Sequence, residues 1–327
     1  MYHEPYKQQK LAELQEECDA WREEIQELKK SLRIDDLTPK QRIRVKGQIK
    51  EAEAELQEVS QQIETVDKNT VSSEQLYKLL LKLGYKRQVR LFRQLVDAQS
   101  VSAFLIHGSP EYGQRWLLNR LVGQYVPQSI SGKVVKIDLG RKVHKSNVSA
   151  LWRQLGSYFY LTGKGILPSE IAERVYRCWQ TQNVLFVFHN VDCMPPAYLQ
   201  ELIQNFWQPL TKKARNYGIS DFQLLMFLVD YEGTVGNLDA LFSEEINPTK
   251  PYPVKPPKIN QFTEESLLDW MEMEVDQLPI ELTHDLDDTV RAILEESEGG
   301  IPELVLTEIF ARCGFNYPEE VERQWKL

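Results

Sequence analysis

The 327-residue sequence predicts an α/β protein on a parallel sheet, flanked by an N-terminal helical hairpin and a C-terminal helical segment. Three observations carry that reading. Short apolar runs alternate with amphipathic helical patterns from Ala103 onward. A G-x-x-x-x-G turn joins the first such run to the first such helix. Ahead of both, residues 7–66 hold a narrow apolar seam among Glu, Gln, Lys and Arg.

The seam comes first. Apolar residues recur at Leu11, Leu14, Cys18, Trp21, Ile25, Leu28 and Leu32, in steps of three and four. The pattern returns at Ile43, Ile49, Ala52, Leu56, Val59, Ile63 and Val66. Such spacing puts one apolar stripe on an otherwise charged helix, as in a coiled coil. Between the runs stands Asp35-Asp36-Leu37-Thr38-Pro39. Thr38 suits an N-cap and Pro39 a first helical residue, so two helices folding back on each other are expected. Trp21 and Ile25 should then face Leu56 and Val59. One continuous helix is the alternative, which Pro39 disfavours.

Asp67–Ser73 is a polar linker. Gln75–Val96 reads as two short helices broken at Gly84, the second basic on one side through Lys86, Arg87, Arg90 and Arg93. That face is either a solvated helix surface or a docking face for an acidic partner or nucleic acid. Strands are expected at Ala103–His107, Lys133–Leu139, Val184–Asn190 and Gln223–Val229, with a fifth near Val254–Ile259. Helices are expected at Gln114–Tyr125, Asn147–Tyr160, Ser169–Gln182 and Pro196–Asn216. This alternation implies parallel strands with helices on both faces. Asn247–Pro257 holds five prolines and must be extended. Thr263–Arg323 reads as acidic helices. The linear division is therefore 1–70, helical hairpin; 71–100, a short helical linker region; 101–258, the α/β core; and 259–327, an acidic helical subdomain.

Net charge is −9, unevenly spread. Ser73–Tyr125 carries eight Lys/Arg against three Asp/Glu, and Ile259–Leu327 four against eighteen. The acidic end argues against general nucleic-acid binding, which needs cationic surface, and leaves room only for a local basic site. Four scattered cysteines lack metal-ligand or disulfide-framework spacing, and no apolar run reaches the length of a membrane span. A soluble, cytoplasmic protein with reduced thiols and no membrane partner is the expectation.

The segment FLIHGSPEYGQRWLLNRLV places Gly108 and Gly113 as in G-x-x-x-x-G-K-[ST]. In that motif backbone N–H groups cradle phosphates, the Lys neutralises them and the hydroxyl holds Mg²⁺. Here Gln114 stands for the Lys and Arg115 for the Ser/Thr. Gln carries no charge, and Arg has no lone pair for a metal. The strand VLFVFHNVD ends in His189-Asn190 where acidic residues would orient Mg²⁺ and water, and Asp192 lies further on. Neither His189 nor its neighbours show metal-ligand spacing. Catalytic residues, cofactor and metal are all expected to be absent. Gly299-Gly300-Ile301-Pro302 opens the last helical run, as an ordinary loop or as something more specific.

On these residues the chain resembles the STAND class of P-loop NTPases, relatives of the AAA+ fold. More closely it resembles the catalytically degenerate inactive STAND group of bacterial, notably cyanobacterial, conflict and signalling systems. The resemblance rests on Gly108–Arg115, FVFHN, FQLLMFLV, the Pro-rich lead into INQFTEESLLDWM, and Gly300-Ile301-Pro302. It spans roughly Gln75–Gly314. It implies that Gly300 and Pro302 stand where active relatives contact a nucleotide base. It also implies that the variable N-terminus couples to partners. The expected function is a non-catalytic scaffold or signalling protein. It would act through a protein partner on the hairpin or the basic helix, as a monomer or an oligomer. A weak nucleotide-binding ATPase and an AAA+-like nucleic-acid adaptor are the competing readings.

Overall fold

The computed structural model describes residues 3–31, 39–68, 71–126, 132–142, 147–163, 165–217, 220–247, 251–317, 321 and 327. Contacts gather the chain into two compact units, each built from segments distant in sequence. One comprises Met1–Leu80, Leu268–Ile293 and Leu306–Gln324; the other comprises Leu81–Leu267, Leu294–Val305 and Trp325–Leu327.

In the first unit, α1 (His3–Ser31) and α2 (Pro39–Lys68) are the two long helices of the expected hairpin. Cys18 lies beside Ser60 and Lys29 pairs with Glu53 at 2.7 Å, so the helices run antiparallel. Leu14, Cys18 and Val59 form the buried seam, with Trp21 and Leu56 packed against it. Ile25 is buried too, outside that cluster. Thr38, the Asp pair and the side chains of Leu11, Leu32, Ile43, Ile63 and Val66 lie outside the described residues. α3 (Ser73–Leu80) opens on a reciprocal cap, Ser72 N–H to Gln75 Oε1 and Gln75 N–H to Ser72 Oγ. The Trp270 indole donates to the Leu79 carbonyl at 3.1 Å.

The second unit starts at the Gly84 break. Gly84 and Tyr85 both have positive φ, and α4 (Lys86–Ala98) follows. Four parallel strands, β1 (Val101–His107), β2 (Lys133–Asp138), β3 (Val184–His189) and β4 (Leu224–Asp230), lie in the order β1-β4-β3-β2. Strictly paired registers tie their C-terminal ends together: His107 opposite Asp230, and Asp138 opposite His189. Between them run α5 (Gln114–Tyr125), α6 (Val148–Ser157), α7 (Pro168–Trp179), α8 (Pro196–Glu201) and α9 (Gln208–Arg215). The last two are joined by a π-helical stretch, Leu202–Trp207. Pro209 lacks the N–H that an unbroken α ladder would use, and a widened turn passes it.

Apolar side chains on alternate strand positions bury both faces. Ala103, Leu105, Phe186, Phe188 and Met226 pack with Trp152, Trp179 and Phe206 on one side. On the other, Phe92 of α4 meets Phe104 and Phe227 with ring centroids 5.3 and 5.4 Å apart.

The fifth strand expected near Val254–Ile259 is instead a pair of isolated bridges on the outer edge of β1, Phe104 with Val254 and Gly108 with Ile259. Pro253, Pro256 and Pro257 have no N–H to give a ladder, so pairing survives only where Val254 and Ile259 donate. Gln88 pins the intervening loop from α4 by donating to the Pro257 carbonyl at 2.8 Å. The C-terminal helices are α10 (Glu264–Glu274), α11 (Ile280–Thr283), α12 (Leu286–Glu296) and α13 (Pro302–Arg312). No helix among the described residues is long and apolar enough to cross a membrane.

Candidate functional site

The C-terminal ends of parallel strands are where an α/β sheet gathers loops and ligands. Here β1 runs into the Gly108–Gly113 turn, and α5 starts at Gln114. Gly113 caps α5 at φ 72, a left-handed conformation that L side chains resist. A Cβ at Gly113 would also collide with the Tyr85 hydroxyl, which itself donates to the Tyr112 carbonyl at 3.3 Å. Glu111 also has positive φ, and its carbonyl accepts from the Glu303 N–H at 3.0 Å. The start of α13 is thereby tied to the loop.

Gln114 is buried at 1 % exposure, and its amide turns back into the loop. Nε2 donates to the Ser109 carbonyl at 2.8 Å and to the Tyr231 carbonyl at 3.3 Å. A side-chain amide nitrogen has two N–H groups, and both are taken by the protein's own backbone. Phosphate oxygens can only accept hydrogen bonds, so Gln114 has nothing left to offer them. With Arg115 where a metal-holding hydroxyl would stand, the residues present do not fit a nucleoside triphosphate with its Mg²⁺.

Beside the loop lies an open cleft of about 460 Å³ lined by Arg115, Asp138, His189, Asn190, Tyr231 and Glu303. His189 Nδ1 meets the Tyr231 hydroxyl at 2.8 Å. Burial, helped by the positive charge of Arg115, pushes the imidazole down to about 4, so it is neutral at pH 7. A neutral Nδ1 accepts from the phenol, which places the imidazole proton on Nε2. Burial raises the Tyr231 hydroxyl well above its ordinary range. Asn190 Nδ2 donates to Asp138 Oδ1 at 2.7 Å, and the Gly140 N–H donates to the same oxygen at 2.8 Å. Burial opposes ionisation of Asp138, but these donors together hold it below the usual carboxylate range. Glu303 is raised by burial and by Glu111, with Arg115 acting against them. The cleft thus holds a fixed cation, an ionised carboxylate, a second carboxyl biased toward its neutral form, and a neutral His–Tyr pair.

Of the residues singled out from the sequence, Arg115, His189 and Asn190 meet in this cleft. Asp192 does not line it: Asp192 Oδ1 accepts from the Tyr231 N–H at 3.0 Å and so holds the end of β4. Pro302 packs near Gly113, while the Gly300 carbonyl accepts from the Phe262 N–H at 2.8 Å. Lys86, Arg90 and Arg93 lie apart, lining a second cleft with Arg120, and Arg87 is not among its lining residues.

Asp138, Tyr231, Glu303 and Arg120 were not legible as site residues. Asp138 and Tyr231 carried a readable signal, one ending a strand on a carboxylate and the other just past a strand end. Arg120 and Glu303 gave none, because helical pattern alone does not tell which helices meet.

Residues 80–229 match the inactive STAND family. That agrees with the resemblance drawn from the loop and strand motifs. The inactive STAND segment takes in α4, the loop, β3 and nearly all of β4, and stops short of Tyr231 and Glu303. The cleft is therefore completed from outside it. Among solved structures, the chain is similar to Cdc6p from Pyrobaculum aerophilum, with 13% identity, 74% of this chain and 63% of that chain covered, and a TM-score of 0.42. It is also similar to the Aeropyrum pernix ORC1 protein solved in complex with DNA, with 13% identity, coverages of 74% and 60%, and a TM-score of 0.36. A Walker-type ATPase of Pyrococcus abyssi aligns at 12% identity, with coverages of 74% and 71% and a TM-score of 0.40. This chain thus spans less than two thirds of the first two. No curated protein sequence matches it.

Proposed function

We propose that this chain is a non-catalytic scaffold or signalling protein, in which a nucleotide-hydrolysing fold has been retained as a platform for binding a protein partner. The observation that supports this is the closed loop: both N–H groups of Gln114 are spent on the carbonyls of Ser109 and Tyr231. The resemblance to inactive STAND proteins places such a function in a prokaryotic conflict, defence or signalling pathway. Two surfaces offer themselves to the partner, the outer face of the α1–α2 hairpin and the basic face of α4.

The test is phosphate release and nucleotide binding with Mg²⁺ present, on wild type, Arg115→Ala and the double variant Gln114→Lys/Arg115→Thr. No turnover is expected from any of them. The double variant regains the loop's charge and hydroxyl, but positions 189 and 190 still hold His and Asn. Turnover by the wild type that Arg115→Ala abolishes would overturn the reading.

A further inference from the structure

The cleft that Lys86, Arg90, Arg93 and Arg120 share has no role in the reading above. Positions 86, 90, 93 and 97 follow one another at helical spacing, so Lys86, Arg90, Arg93 and Asp97 lie along one face of α4. Arg87 lies about 100° away around the helix. From α5, Arg120 joins the cleft, which measures about 330 Å³. Arg120 is 7 % exposed, and its Nη1 donates to the carbonyls of Leu83 and Gly84 at 2.8 Å each. Its Nε has no partner among the described residues. Arg93 lies 5.6 Å from the centre of the Tyr125 ring. Among the described residues no carboxylate pairs with Arg90, Arg93 or Arg120. Three guanidinium groups without a counter-ion, one of them buried, are unfavourable to hold together unless an anion completes them.

We propose that this cleft docks a short acidic segment of a protein partner, whose carboxylates pair with the forked guanidinium groups of Arg90 and Arg93. Carboxylates match that fork with two parallel hydrogen bonds. A nucleic acid fits less well. The face from Lys86 to Asp97 is about 16 Å long at the helical rise of 1.5 Å per residue. A phosphate backbone following the row would carry its charge across Asp97, whereas a peptide can set an amide or a basic side chain there. The chain's net charge of −9 also opposes a long polyanion more than a short one. The proposal does not depend on the loop, and nucleotide binding at Gln114 would leave it standing.

The experiment is fluorescence anisotropy on the full chain with three labelled probes: a short Glu/Gly peptide, a Lys/Gly peptide and single-stranded DNA of similar length. The proteins are wild type, Arg90→Glu/Arg93→Glu, Arg90→Gln/Arg93→Gln and Arg87→Glu, each checked by circular dichroism. The glutamine pair serves if the glutamate pair fails to fold. The acidic peptide should bind in preference to both other probes, and removal of the two arginines should weaken it about tenfold or more. Arg87→Glu should stay within about twofold, because it shares the helix but not the cleft. Preferred binding of DNA would assign the cleft to nucleic acid. Equal losses from Arg87→Glu and the pair would mean an unspecific charged face. No peptide binding at low salt would also overturn the proposal.

Discussion

Two neighbouring regions at one edge of the sheet use their polar groups in opposite ways. In the Gly108–Gly113 loop every group described above is spent internally: Gln114 on two carbonyls, Tyr85 on the Tyr112 carbonyl, Glu111 on the Glu303 N–H. In the cleft beside it, Arg115, Asp138, His189 and Glu303 keep partial exposure around an open volume of about 460 Å³. The family's ancestral chemistry needs the reverse, a loop with free donors and a metal site beside it. The loop has become structure, and any residual capacity for a ligand has moved to the cleft.

The largest effect is expected where both regions hang from one residue. Asp230 is fully buried at the end of β4, and its two oxygens accept from the N–H groups of Gly233 and Val235 at 2.7 Å each. Burial raises its pKa, while those donors act against it. The next residue, Tyr231, gives its carbonyl to Gln114 and its hydroxyl to His189. Asp230→Ala strands two buried donors and frees the turn, so a loss of about 2–5 kcal/mol is expected in urea unfolding. Asp230→Asn keeps one good acceptor and should lose less. Equal stability of Asp230→Ala and wild type would remove the shared anchor from the comparison.

Gly113→Ala comes next and touches the loop alone. It forces a side chain into a left-handed conformation and against the Tyr85 hydroxyl. A loss of about 1–3 kcal/mol is expected by thermal or chemical unfolding. Gln114→Leu should cost less, about 1–2 kcal/mol, since it keeps the volume and leaves two carbonyls without their donor. If Gln114→Leu is neutral, the loop is not held by its own amide.

The difference between the regions also divides what the sequence disclosed. The sheet was legible because FLIH, VVKI, FVFH and LLMFLV are apolar runs too short for helices and alternate with amphipathic ones. The loop was legible because two glycines at fixed spacing between a strand and a helix restrict the backbone conformation. The identity of Gln114 signalled lost charge, but the direction of its amide depends on Tyr231, 117 residues away. Asp138, His189 and Glu303 meet only because β2 pairs with β3 and α13 docks on Glu111. The prolines of 251–257 were visible, and their absent N–H groups are why the expected strand there shrank to two bridges.

The smallest effect isolates the cleft by pH. His189 in the folded protein is held neutral down to pH about 4, chiefly by burial. In the unfolded chain an imidazole takes its proton near pH 6.5. Between those values the unfolded state binds more protons than the folded state, so stability falls as the pH falls and is unaffected above the window. His107 is depressed in the same direction, again by burial first, and adds to the slope. The informative quantity is therefore the difference between wild type and His189→Gln in urea unfolding at pH 7 and at pH 4.5. At pH 7 the variant loses the contact with the Tyr231 hydroxyl, about 0.5–1.5 kcal/mol. At pH 4.5 it escapes the proton penalty, so the gap should close or reverse by about 1–3 kcal/mol. Tyr231→Phe supplies the control, because it removes the hydroxyl and keeps the titrating ring. It should lower stability at pH 7 and retain the steep fall toward pH 4.5. A gap between wild type and His189→Gln that stays constant with pH would mean that His189 takes its proton as freely as in the unfolded chain. The cleft would then be wet enough to solvate the imidazolium, and the contrast with the closed loop would be greater than the contacts of His189 alone imply.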